Sequence, residues 1–247
     1  MRSRMNFTVS ALQVHQWALQ WLTTAALLKT PRARACTVDV VWSVVLRAAT
    51  RMISIFAACT DLVRAPSSQA VYDALQAGLP KTLSVLERRL NESLTNALPR
   101  RLLRRAWNVA IDWHLVPYYG EPLRSRNELY YGKPRQGTKH FHAYATACIV
   151  HHGVRYTLAL SWVRRHETMV TALSRLLRRL DELGLKIKVL LLDRAFFNVA
   201  VTGFLQTREL PFLMPVVFRG RRPKKHGRRQ GLRAIAQRVR RSAPGPL

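Results

Sequence analysis

The sequence predicts an α/β fold, a mixed sheet flanked by helices and preceded by an all-α unit, and three observations carry this expectation. Apolar residues recur at helical spacing through the first hundred positions. Beyond position 107 they gather into short runs rich in β-branched, aromatic and small apolar side chains. Those runs give way to alternating amphipathic and continuously apolar segments. A chain of 247 residues with 48% hydrophobic content is long enough for a small helical domain ahead of a larger core.

In the N-terminal stretch Leu83, Leu86, Leu90 and Leu94 share a helical face, with Arg88 and Arg89 on others. Pro66-Ser67-Ser68 reads as a helix start, Gly78 as its stop and Pro80 as the first position of the next helix. The short turn between them suits a helix-turn-helix with a basic face. It suits slightly better, on these residues alone, an ordinary helical hairpin, since few such turns bind DNA. Residues 1–105 are expected to form a helical unit and a candidate DNA-recognition domain.

Residues 108–113 (NVAIDW), 139–150 (KHFHAYATACIV) and 155–162 (RYTLALSW) predict three successive strands. Residues 167–183 place Val170, Leu173, Leu177 and Leu180 on one face and Arg175, Arg178 and Arg179 elsewhere, an amphipathic helix closed by Gly184. Residues 185–192 (LKIKVLLL) read as a buried strand, 196–208 as a second helix and 211–218 as a last strand. The order β-β-β-α-β-α-β is that of an RNase H-like fold, in which the first strand is central and the strand after the first helix lies beside it. This core is expected over 106–218. Residues 219–247, dense in Arg and Lys without a single acid, are expected to form a basic, disordered tail in nonspecific contact with phosphates.

Lys and Arg number 41 against 13 Asp and Glu, and the formal net charge of +28 makes an isolated compact chain repel itself unless a polyanion neutralises it. Nucleic acid is the natural partner. The basic residues run through the whole chain and are not confined to one amphipathic helix, which argues against a membrane surface. The apolar stretch 18–28 is too short to span a bilayer, and 36–63 is interrupted by Asp39, Arg47, Arg51 and Asp61. No cleavage site follows the basic start. A cytoplasmic, nucleoid-associated protein with no membrane partner is expected. Cys36, Cys59 and Cys148 are scattered and odd in number, which argues against a disulfide framework or a thiolate zinc site and leaves them as core residues.

The chemistry rests on two acids. Asp112 lies in or at the end of the first strand and Asp193 ends the later one, so the expected topology brings them together although they are far apart in sequence. Carboxylate oxygens are the hard ligands Mg²⁺ prefers, and it binds through one or two of them plus water and substrate phosphate. Two such ions about 3.5 to 4 Å apart would activate a water or 3′-hydroxyl and stabilise the leaving oxygen of a phosphodiester. A structural role stands beside this one. A strand-end Asp often caps the following turn, and for Asp193 the two readings weigh about equally. Asp112 follows Val109-Ala110-Ile111, where burying an acid without a metal or cationic partner is costly.

Taken in order, segments 110–120 (AIDWHLVPYYG), 137–146 (GTKHFHAYAT) and 190–197 (LLLDRAFF) resemble the catalytic core of DDE transposases of prokaryotic insertion sequences, over roughly residues 107–218. The resemblance implies that Asp112 and Asp193 are the first and second acids of the family's triad, catalytic and metal-binding. It implies Mg²⁺ or Mn²⁺ as cofactor, transposon ends and target DNA as partners, a homo-oligomer on DNA, and strand cleavage and transfer as the reaction. The family's third acid, a Glu on a helix beyond the last core strand, has no counterpart, because no Asp or Glu follows Glu209. Glu209 itself is expected in the turn before the last strand. The resemblance is thus to a C-terminally truncated copy that binds DNA and is inactive in cleavage. The alternative is a noncatalytic basic nucleic-acid-binding protein.

Other residues are candidates for holding DNA. Tyr118, Tyr119, Tyr130 and Tyr131, interspersed with Arg124, Arg126, Lys133 and Arg135 and followed by Lys139, make 114–138 a DNA-contacting loop, with aromatic packing as the equal alternative. Arg194 either contacts phosphate beside the acids or pairs with one of them. His140 and His142 alternate on one strand face, with His151 and His152 close behind, but no carboxylate or Cys completes a zinc-ligand spacing.

Overall fold

The computed structural model describes residues 10–25, 27–29, 36–96, 98–120 and 126–216. The first half is helical: α1 (Ala11–Thr24), α2 (Val38–Arg51), α3 (Ile55–Asp61), α4 (Ser68–Gly78) and α5 (Leu83–Asn96). Ser10, Thr37, Ser54 and Ser67 start the first four, each hydroxyl accepting a first-turn N–H that the helix leaves unpaired. Helix α4 stops at Gly78, as the sequence indicates, but α5 begins at Leu83 rather than Pro80. A Cβ at Gly78 would fall 2.6 Å from the Leu28 side chain and 3.0 Å from the Lys29 carbonyl, so this glycine also seats the α1–α2 connection. No Lys or Arg lies on α4, and the basic side chains of the pair, Arg88 and Arg89, belong to α5. Leu27, Val41, Trp42, Val44, Ala58 and Val71 bury one apolar cluster among α1–α4, with Cys36 inside it. Cys59 and Cys148 are half-buried, and all three thiols are free. Among the described residues no single helix is long and apolar enough to cross a membrane.

A second cluster surrounds a six-stranded mixed sheet of β1 (Trp107–Pro117), β2 (Tyr130–Arg135), β3 (Thr138–His151), β4 (Val154–Val163), β5 (Ile187–Leu192) and β6 (Phe212–Leu213). Strand β1 is central, antiparallel to β3 and parallel to β5, with β6 parallel beyond β5. Strand β4 pairs with β3 on the side away from β1. This is the RNase H-like order, with one strand more than the sequence reading expects. The extra strand, β2, comes from the supposed loop 114–138 and pairs with the start of β3. Both flanking turns have positive φ at two successive residues, Gln136 (48°) and Gly137 (79°), then His152 (47°) and Gly153 (76°). That is the two-residue type I′ geometry whose twist matches its strands.

Alternation along the strands separates two faces. Trp107, Val109 and Ile111 of β1 and Ala143, Ala145, Ala147 and Ile149 of β3 are buried. They share a cluster with Leu173, Leu176, Leu177 and Leu180 of α6 (Met169–Glu182) and Val201 and Leu205 of α7 (Val199–Thr207). The opposite face carries Asp112, His114, Tyr144 and Thr146. The expected helix over 196–208 splits into a 3-10 turn, Arg194–Phe196, and α7, because Asn198 accepts the Val201 N–H and caps a fresh start. The basic segment 219–247 lies outside the described residues.

Two long-range devices hold the edges. Asn91 of α5, 8% exposed, donates its amide to the Leu160 carbonyl and accepts the Leu160 N–H, both at 2.8 Å. Glu87 accepts the Trp162 N–H at 2.7 Å. Helix α5 thereby supplies with side chains part of the ladder that β4 lacks, and blunts an edge that could pair with another chain. Arg175 of α6 pairs with Glu167 and donates to the Trp162 carbonyl and to Ser161 Oγ, tying α6 to β4.

Candidate active site

In the β1–β5 register Ile111 stands opposite Leu192, and the residues that follow them are Asp112, within β1, and Asp193, just past the end of β5. Neighbouring strands lie about 4.8 Å apart, so one step beyond a matched pair puts both backbones side by side. Ile111 and Leu192 are buried and the two aspartates are exposed. Asp112 is 57% exposed in its side chain, which corrects the expectation that it is costly to bury. Its apolar neighbours Val109 and Ile111 occupy the other face of the pleat. Nor does Asp112 end its strand, since β1 continues to Pro117 with Asp112 opposite Thr146 of β3.

Each carboxylate commits one oxygen to the backbone. Oδ1 of Asp112 accepts the Trp113 N–H at 2.8 Å, and Oδ1 of Asp193 accepts the Ala195 N–H at 2.9 Å, capping the 3-10 turn. The capping role foreseen for Asp193 is therefore filled by one oxygen, with the other left over. Oδ2 of Asp112 lies 3.6 Å from Nε2 of His114, which is 3.2 Å from Thr146 Oγ1. The His114 ring stacks on Tyr144 with centroids 4.8 Å apart. His114 and Thr146 were missed from the sequence, although the alternation Asp112-Trp113-His114 puts His114 on the same face as the acid.

A divalent cation fits this donor set in part. Two hard carboxylates, each with an oxygen free of backbone bonds, match the one or two that Mg²⁺ takes beside water and phosphate. Among the described residues no group of three His, Cys, Asp or Glu side chains is placed to hold a metal. Glu209 sits in the α7–β6 turn at φ 52°, ahead of β6 and so toward the end of the sheet away from Asp193.

Arg194 follows Asp193 directly and is exposed, and no ion pair joins it to an acid among the described residues. Lys133, Arg135 and Lys139 are exposed on the β2–β3 hairpin, whose tip extends past Pro117 at the end to which β1 and β5 point. Arg124 lies outside the described residues, as does the side chain of Arg126. The tyrosines are engaged in packing. Tyr118 meets His142 edge-on at 4.8 Å, Tyr131 meets His140 at 5.6 Å, Tyr130 meets Trp113 at 5.9 Å, and the Tyr119 hydroxyl donates to the Gln136 carbonyl at 2.8 Å. The two candidate zinc histidines are thus aromatic packing partners. Burial holds the His142 imidazole below its ordinary pKa, with Glu128 acting against it, and burial raises the Cys148 thiol.

A family model described as a transposase DDE domain matches residues 104–244. No curated protein matches the chain. Among solved structures, the piggyBac transposase synaptic complex with hairpin DNA is 11% identical with a TM-score of 0.36, covering 86% of this chain and 44% of that one. The Drosophila P element transposase strand transfer complex is 12% identical with a TM-score of 0.40, covering 81% of this chain and 43% of that one. The chain spans less than half the length of either.

Proposed function

Because the chain belongs to the transposase DDE domain family, we propose that it acts on DNA at Asp112 in β1 and Asp193 at the end of β5, as the metal-dependent strand-cleaving and strand-transferring core of an insertion-sequence transposase. The observation that carries this reading is the parallel register that makes Asp112 and Asp193 the next residues after Ile111 and Leu192. Mg²⁺ or Mn²⁺ held there would supply the positive charge that activates an attacking oxygen and stabilises the leaving one. The chain's own residues do the rest. Asp112 and Asp193 offer as ligands the oxygens that make no backbone hydrogen bond. Arg194 takes a phosphate oxygen beside them, and Lys133, Arg135 and Lys139, with Arg124 and Arg126, track the backbone of the duplex.

In this reading residues 1–105 form the helical unit that recognises transposon ends, 106–218 the core, and 219–247 a basic tail. A homo-oligomer brings ends and target DNA together in association with the nucleoid. Two carboxylates are one short of a triad, so the 247 residues bind DNA and cleave it poorly. That same shortfall favours a second reading, a noncatalytic DNA-binding protein.

A labelled duplex, with and without Mg²⁺, separates binding from chemistry. Binding at low salt should persist in Asp112→Ala, or tighten slightly as a negative charge near phosphate is removed, whereas residual metal-dependent nicking should vanish in Asp112→Ala and Asp193→Ala. Robust cleavage that survives both substitutions overturns the site. Divalent-metal binding unchanged by both, with DNA binding intact, favours the noncatalytic reading.

A further inference from the structure

The end of the sheet opposite the two aspartates gathers exposed cations around an ordered arginine. Strand β1 starts there at Trp107, β3 ends there at His151, and the Trp107 N–H donates to the Lys186 carbonyl ahead of β5 at 2.9 Å. The Arg105 guanidinium lies 3.7 Å above the Trp107 ring, and its Nη2 is 3.2 Å from Nε2 of His151. A guanidinium only donates, so His151 accepts in its neutral form. The His151 ring touches Trp107 edge-on at 4.9 Å and lies 4.1 Å from the His152 ring.

Arg105 is therefore seated from below by an aromatic face and from the side by an imidazole, and the residue is exposed. A fork fixed in this way loses little freedom on binding a phosphate, and a guanidinium keeps its charge in such a seat. Arg104, Arg155, Lys186 and His152 are exposed around the same end. None of these cations is in an ion pair among the described residues. The acids that α6 brings toward this end are already taken, Asp181 by Arg208 and Glu182 by Arg178 and Arg179. Glu209 lies beyond β5, on the approach to β6. Burial, His152 and Arg105 together hold the His151 imidazole below its ordinary pKa, as expected where positive charge is unneutralised.

We propose that this end of the sheet, centred on Arg105 and its Trp107–His151 seat, is a second phosphate-contacting surface for duplex DNA, separate from the carboxylate end. The choice of DNA as the anion rests on the transposase reading. The interaction is with backbone phosphates and independent of sequence, resting on the charge of Arg104, Arg105, Arg155 and Lys186.

The test is fluorescence anisotropy of the full chain with a labelled duplex in EDTA over a series of salt concentrations. Each phosphate that these side chains neutralise should add about 0.9 to the steepness with which log affinity falls against log salt. Arg105→Gln/Arg155→Gln/Lys186→Gln should lower the slope by about 2 to 3. Arg105→Lys should keep the slope and weaken binding, since it keeps the charge and removes the fork. If Arg105→Gln disturbs Trp107 and the triple variant fails to fold, Arg155→Gln/Lys186→Gln, both exposed, should still lower the slope by about 1.8. A folded variant with the wild-type slope overturns this surface and leaves the transposase reading standing. A wild-type chain that binds no duplex at low salt overturns both.

Discussion

Two residues on the sheet show how far the local sequence speaks. Asp112 could be singled out from its rarity and its strand, but its exposure could not, because a run such as Val109-Ala110-Ile111-Asp112 looks buried until alternation assigns each residue a face. The Arg175–Glu167 pair was invisible as a pair. Glu167 is only 9% exposed in its side chain and Arg175 26%, so Arg175→Met should destabilise the chain by about 3 kcal/mol, read in urea denaturation, since it strands a buried carboxylate. His142 predicts a pH effect. Its folded pKa lies below the ordinary value, so its contribution to stability is complete above about pH 6.5 and declines as pH falls through the lowered value. The groups around it are Tyr118, Trp162 and the opposing Glu128. His142→Phe should flatten the drop in denaturation midpoint between about pH 8 and pH 5 relative to the wild type. An identical drop in both would remove His142 as its source.

Most elements were legible because their patterns are clean, as in α6 with its leucine stripe and β5 with an apolar run broken only by Lys188. Strand β2 was not, because Gly132 and Pro134 sit within Tyr130–Arg135 and read as loop, and a strand pairing mainly at Tyr130 and Tyr131 tolerates them at the sheet edge. The turn that closes it offers a direct check. Gln136 holds φ 48°, where Asn is at home and Gln is not, so Gln136→Asn should raise stability by up to about 1 kcal/mol. The docking of α5 on β4 depends on partners 69 residues apart and has no sequence signature. Asn91→Leu should cost about 2 kcal/mol by leaving the Leu160 N–H and carbonyl unpaired, with faster hydrogen exchange at Leu160 than at β1 amides. Unchanged exchange there would mean that α5 does not protect the edge.

At the scale of the whole molecule, the RNase H-like order follows from right-handed chain logic: a helix between β4 and β5 carries the chain back across the sheet and lays β5 parallel beside β1. That single crossover brings Asp112 and Asp193 together across about 80 residues of sequence, and Arg194, Lys133, Arg135 and Lys139 are exposed toward the same end of the sheet. The proposed metal-dependent chemistry requires those carboxylates to act as one site. The most direct measurement is a titration of the full chain with Mn²⁺ followed by electron paramagnetic resonance, which reads bound metal without requiring any reaction. A site that the wild type fills, and that weakens at least about tenfold in Asp112→Asn and likewise in Asp193→Asn while both variants keep their fold and their duplex affinity, is the predicted result. Mn²⁺ binding that is the same in the wild type and both variants would contradict it.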